Sequence, residues 1–200
     1  MWKILPALFL LWLCSARVSA QAVPAGRSSL VNVAIGYSYA NSPDSASQRM
    51  GLNGWDVDLT VRVSSRLAVR GDVASTRASH VPGMPGSAAL TSYLAGPVFY
   101  PANSQGRLVP YVHLLVGGAR VSGPVAVSGG FLEGGWLERS AWAFGGGVDY
   151  QLSAAFALRG GVDFLRTQYY DPSLTPRGQS NVRATASVVY LFRPLGRRRR

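Results

Sequence analysis

The chain has 200 residues, 23 of them glycine, with 20 Lys and Arg against 9 Asp and Glu and a formal charge of +11. Its one cysteine excludes a disulfide framework, and abundant glycine with few Glu and Lys argues against a helical protein. The basic excess would suit nucleic acid or an anionic membrane. The arginines, however, are spread along the chain with one cluster at 197–200, so no nucleic-acid partner is expected.

Residues 1–20, "MWKILPALFLLWLCSARVSA", carry Lys3, then an apolar run from Ile4 to Leu13, then "VSA" before Gln21. That order predicts a secretory signal peptide cleaved after Ala20. The run is too short for a membrane helix, which needs about 20 residues. Acylation at Cys14 is the alternative, disfavoured by the bulky Leu13 in front of it. Cleavage at Ala20 leaves no thiol, a lead at 21–29, one barrel domain at 30–192 and a basic tail at 193–200.

Eight strands are predicted, at 30–39, 54–63, 67–75, 90–100, 108–120, 142–152, 156–167 and 181–192. "VNVAIGYSY", "WDVDLTVRV", "LAVRGDV", "WAFGGGVDYQL", "FALRGGVDF" and "NVRATASVVYLF" place apolar or aromatic residues at alternate positions. The intervening face carries Asp56, Asp58, Arg62, Arg70, Asp72, Asp149, Arg159, Asp163 and Arg183. A soluble sandwich would turn these charges out; a barrel in lipid turns them into its lumen. The connections alternate, long at 40–53, 76–89, 121–141 and 168–180, short at 64–66, 101–107 and 153–155. That asymmetry belongs to outer-membrane barrels, with short turns and both termini in the periplasm. The fold predicted is all-β, an eight-stranded antiparallel up-and-down transmembrane β-barrel.

Two aromatic belts are expected at the lipid–water boundaries, Tyr37, Tyr39, Trp55 and Trp142 at one and Tyr100, Tyr150, Phe156, Tyr190 and Phe192 at the other. Pairing across the turn at 153–155 sets Asp149 opposite Arg159, Asp163 falls near Arg183, and Arg70 lies between Asp58 and Asp72. Eight strands leave an interior that side chains fill, so a structural charge network and a small conductance are expected.

In this order, "GWDVDLTVRVSSRLAVRGDV", "YLAGPVFYP", "LVPYVHLLVGGAR", "WAFGGGVDYQLSAAFALRGGVDFLRTQY" and "QSNVRATASVVYLF" resemble the small outer-membrane β-barrel family that includes the outer membrane protein A transmembrane domain. The resemblance covers nearly all of the chain after residue 20. It implies outer-membrane residence and a structural, surface-interaction or narrow porin-like role. It also implies outer-membrane lipid, lipopolysaccharide and the barrel-assembly machinery as partners, the last through the terminal aromatics Tyr190 and Phe192. "RPLGRRRR" after Phe192 departs from the family's usual ending.

A hydrolytic site would need a nucleophile beside an oriented base. His80 lies in a predicted loop; His113 faces inward on the fifth strand with no serine within two residues, so no catalytic residue is assigned. No metal-ligand spacing and no cofactor motif is present. The alternatives are a secreted lipocalin-like barrel with an apolar ligand, which the charged inner face disfavours, and a lipid A-modifying barrel enzyme.

Overall fold

The computed structural model describes residues 30–43, 49–80, 86–101, 107–127, 130–170 and 176–192. The expected signal peptide, the lead at 21–29 and the tail at 193–200 lie outside the described residues. Eight strands, β1 (Val31–Pro43), β2 (Arg49–Arg62), β3 (Leu67–Ala78), β4 (Ala88–Phe99), β5 (Leu108–Val127), β6 (Gly130–Gln151), β7 (Phe156–Tyr170) and β8 (Pro176–Phe192), follow one another in space as in sequence. Every neighbouring pair is antiparallel, and β8 returns to β1 from Val31↔Phe192 to Asn41↔Val182, closing the barrel.

The alternation decides the faces. Ile35, Val57 and Val73 form one cross-strand row looking outward, and Phe144, Val162 and Val188 are likewise exposed around the barrel. The interleaved residues point inward, and at mid-barrel they are buried, the charged ones included. An exterior this apolar over this buried an interior reverses the arrangement of a soluble protein and suits a surrounding hydrocarbon phase.

The turns at the end holding Val31 and Phe192, the near rim, repeat one device. Ser64 Oγ accepts from the N–H groups of Arg66 and Leu67, and Ser153 Oγ accepts from those of Ala155 and Phe156. In both turns two successive N–H groups also share one carbonyl, that of Leu67 or Phe156. Each turn then leads into Ala-x-Arg-Gly, Ala68–Gly71 or Ala157–Gly160, so the β2–β3 and β6–β7 hairpins begin alike.

At the far rim the strands run well beyond their predicted ends. β5 continues to Val127 and β6 begins at Gly130, so most of the expected loop 121–141 is a hairpin; the loops expected at 40–53, 76–89 and 168–180 are likewise shortened. Backbone pairing persists where neither face meets lipid, and there the apolar alternation that marks a lipid-facing strand is lost.

The outward aromatics gather toward both rims. Tyr37, Tyr39, Trp55 and Trp142 are exposed toward the far rim, with Trp142 against Phe164 at 5.8 Å. Phe156, Tyr190 and Phe192 are exposed at the near rim in edge-on contacts of 5.4 and 4.7 Å, and Tyr150 is half-buried beside them. Tyr100 corrects the expectation. It shares the inward parity of Ser92, Leu94 and Val98, is only 1% exposed, and stacks under the Arg62 guanidinium at 3.9 Å, while Phe99 takes the outward position.

Gly71 supplies a test free of steric conflict, because a Cβ there would meet nothing within 4 Å on the outward face. Gly71→Leu should leave folding into lipid vesicles unimpaired, whereas Gly71→Arg should cost roughly 2–4 kcal/mol, measured by urea unfolding. Equal stability of the two variants would place that face in water.

Candidate functional site

The inner face is layered along the barrel axis. Toward the far rim lies an apolar cluster of Ala40, Leu52, Ala78, Leu90, Leu94, Leu115, Ala119, Ala141, Ala143 and Leu165. Smaller clusters, Ala68, Val98, Tyr100, Val109 and Tyr111, and Ala34, Ala157 and Val189, line the near end. Between them sit five buried carboxylates, Asp56, Asp58, Asp72, Asp149 and Asp163, and three buried guanidiniums, Arg70, Arg159 and Arg183.

Two arginines tie the barrel across its lumen. Arg159 on β7 donates from Nε and Nη2 to the two oxygens of Asp149, its register partner on β6, at 2.7 and 2.9 Å. Its Nη1 reaches across to Asp58 on β2 at 2.6 and 2.7 Å. Arg183 on β8 donates from Nε and Nη2 to Asp163 Oδ2, its register partner on β7, at 3.0 and 2.6 Å. Its Nη1 crosses to Asp72 on β3 at 2.8 Å. Asp58 and Asp72 are direct register partners. Two carboxylates that would repel are thus each met by a guanidinium from the opposite wall. In a low-dielectric interior such charges are tolerable only with this pairing.

Arg70 occupies in its hairpin the place of Arg159, but Thr60 stands where the sister hairpin has Asp149. Its Nε donates to Thr60 Oγ1 at 3.1 Å, Thr60 Oγ1 donates to Asp58 at 3.1 Å, and Nη2 has no protein partner. The guanidinium lies 4.5 Å from the Tyr111 ring centre, and Tyr111 stacks on His113 at 5.8 Å. Room for the Tyr111 hydroxyl comes from Gly147 and Gly161, where a Cβ would lie 2.7 and 2.9 Å from it.

His113 faces Arg70 and Asp163. Arg70 Nη1 lies 3.3 Å from His113 Nδ1, and because a guanidinium can only donate, the tautomer assigned carries its proton on Nε2. Nε2 faces Asp163 Oδ1 at 2.8 Å, a close imidazole–carboxylate contact. Asp56 differs: Ser187 Oγ donates to it at 2.8 Å, and among the described residues no guanidinium is seen paired with it.

Eight of the nine expected lumen charges therefore lie buried at mid-barrel. Arg62 departs from them: it is half-buried at the near rim, donating to the Ser65 carbonyl at 3.2 Å and covering Tyr100. Thr60, Tyr111, His113 and Ser187 complete the site. Inward parity marked them in sequence, but their partners lie on strands far away in the chain. Among the described residues no group of three or more metal-type ligands converges.

A closed up-and-down barrel of eight strands, apolar outside and ionic within, is the fold of the small outer-membrane barrels. Neisserial surface protein A superposes with a TM-score of 0.66 at 16% identity, covering 84% of this chain and all of that one. Ail, the attachment invasion locus protein of Yersinia pestis, gives 0.56 at 17% identity over 83% of this chain and all of its own. The outer membrane protein OprG from Pseudomonas aeruginosa gives 0.55 at 11%, over 85% of this chain and 99% of that one. No protein-family model matches the chain, and no curated protein matches it either.

Arg159→Met leaves Asp149 buried without its cation and Asp58 with only Arg70 Nε, 3.8 Å away, and should destabilise the barrel by about 3–5 kcal/mol. Asp56→Asn keeps an acceptor for Ser187 and removes a buried charge without a guanidinium partner, so it should be neutral or stabilising. Urea titrations of both variants in vesicles test this; a larger loss from Asp56→Asn than from Arg159→Met would overturn the assignment.

Proposed function

We propose that this protein is an outer-membrane barrel whose body is a closed scaffold and whose working surface is the far rim. The observation that carries the reading is the lumen itself. Arg159 and Arg183 span it in ion pairs, and apolar layers pack on both sides of them. An open water-filled pore needs the reverse, a polar path from end to end. Strands β5 and β6 run far past the aromatic belt at the far rim, whereas at the near rim the chain turns back close to the belt at 63–66 and 152–155, which supports a periplasmic near rim and an external far rim.

The outward positions toward the far rim carry Arg49, Arg77, Arg120 and Arg166, all exposed. Standing above the aromatic belt, they suit the phosphates of outer-leaflet lipid, lipopolysaccharide included. The aromatic close of β8 at Tyr190 and Phe192 supports recognition by the barrel-assembly machinery. His113 meets Arg70 and Asp163 rather than a hydroxyl nucleophile, which favours a structural over a hydrolytic role.

The protein should fractionate with outer membranes and migrate differently on a detergent gel before and after boiling. In planar bilayers the purified barrel should pass only small, brief currents. Release into the soluble periplasm would remove the membrane reading, and large stable currents would remove the closed scaffold.

A further inference from the structure

The net charge of the chain belongs to one end of the barrel. Residues 21–200 hold 18 arginines and nine acids. The sequence at and joining the far-rim strand ends, 40–55, 76–92, 117–142 and 164–182, holds six arginines and four acids. The lumen holds three buried guanidiniums and five buried carboxylates, so these two regions cancel. The near rim and the sequence adjoining it, 21–30, 61–67, 99–108, 150–157 and 190–200, hold nine arginines and no Asp or Glu. The whole excess of positive charge lies there.

The rim also sets the depth of its arginines. The turn at 63–66 is closed by the N–H groups of Val63 and Ser64 on the Leu67 carbonyl, each at 2.9 Å, which holds Arg66 close against the wall. Arg66 is exposed, and so are the apolar side chains of Val63 and Leu67 on either side of it. Leu152 and Phe156 flank the turn at 153–155 in the same way. Apolar residues at the lip of both turns call for hydrocarbon up to that level, which leaves Arg66 at the boundary where headgroup phosphates lie. Arg62 gives Nη1 to the neutral Ser65 carbonyl and lays its guanidinium over Tyr100, and neither contact supplies a negative charge. Arg107 is engaged by a contact of its own.

β8 stops at the same level. Phe192 and Tyr190 are both exposed, in edge-on contact at 4.7 Å, and the Leu191 N–H donates to the Ala155 carbonyl of the neighbouring turn at 2.8 Å. Arg193 follows at once, and "RPLGRRRR" at 193–200 places five arginines within eight residues. Eight residues span at most about 27 Å, so all five are tethered within reach of the headgroup layer by the belt residue before them.

We propose that the near rim is a docking ring for anionic phospholipid, in which Arg62, Arg66 and the arginines of 193–200 gather the phosphodiester headgroups of the leaflet around them. Charge complementarity is one-sided there, because no Asp or Glu of the rim competes for the arginines. The exposed apolar lip favours a lipid over a soluble acidic partner, since it holds Arg66 in the headgroup layer rather than in open water. This inference rests on the near rim facing the periplasm, where the surrounding leaflet is phospholipid.

The test uses the folded barrel in phosphatidylcholine vesicles and measures the relative affinity of spin-labelled lipids for its surface. Labelled phosphatidylglycerol should be preferred over labelled phosphatidylcholine by at least about fivefold, the effect of one arginine near an anionic surface. Salt at about 1 M, where the Debye length is about 3 Å, should remove most of that preference. Arg66→Gln combined with glutamine at all four of 197–200 should bring it below about twofold, whereas Arg77→Gln with Arg166→Gln at the far rim should leave it nearly intact. The salt series uses unaltered protein, so the outcome does not depend on a variant folding. Equal affinity for the two lipids, a preference that survives high salt, or one that follows the far-rim pair instead overturns the proposal. So does binding of soluble polyglutamate without any lipid preference, which would assign the arginines to an acidic protein. The vesicle result is independent of orientation in the cell. An epitope tag after Arg200 reached by antibody on intact cells would overturn the periplasmic orientation and leave the lipid preference standing.

Discussion

An ion placed inside a narrow barrel with an apolar exterior has nowhere else to find a counter-ion. That constraint organises the molecule. Because the outward positions between the aromatic belts are apolar, the charges at mid-barrel are forced inward, and because eight strands enclose little volume, those inward charges meet. Asp58 and Asp72 stand side by side on β2 and β3. Arg159 and Arg183 cross the lumen to reach them while holding their own neighbours Asp149 and Asp163. Four hairpins become one object through those two side chains as much as through the hydrogen-bonded wall.

The same economy of space explains the closed interior. The uncharged inward residues include alanine and leucine toward the far rim, interleaved with Ser38, Ser42, Thr76, Thr167 and Asn181, and tyrosine, valine and alanine toward the near rim. These pack above and below the ionic layer, so the centre of the barrel is filled in three tiers. Tyr111 joins the tiers: its ring lies against Arg70 and His113, and its hydroxyl enters the space left by Gly147 and Gly161. A body of this kind suits anchoring, and only at the far rim do strands of unequal length leave β6 without β7 beside it.

Much of this was legible in the chain. Period-two alternation predicted the strands and their faces, and the short turn at 153–155 was enough to set Asp149 against Arg159. Tyr100 was misassigned because a tyrosine at a strand end resembles a belt residue; the inward parity of β4 and the Arg62 guanidinium draw it inside. The far-rim loops were read from their Gly, Pro and Ser content, yet β5 and β6 pair almost to their shared turn. Glycine and serine weaken a strand's propensity without preventing a partner strand from completing its hydrogen bonds.

Local sequence thus determined which residues extend, which face each side chain takes, and which neighbours meet across a short turn, since all three depend on contacts a few residues apart. Closure decided the rest. Whether Arg183 finds Asp72, or His113 comes to lie between Arg70 and Asp163, depends on bringing β8 against β1 and strands from opposite walls within a few ångströms. No alternation along a single strand encodes that distance; the circumference of eight paired strands imposes it.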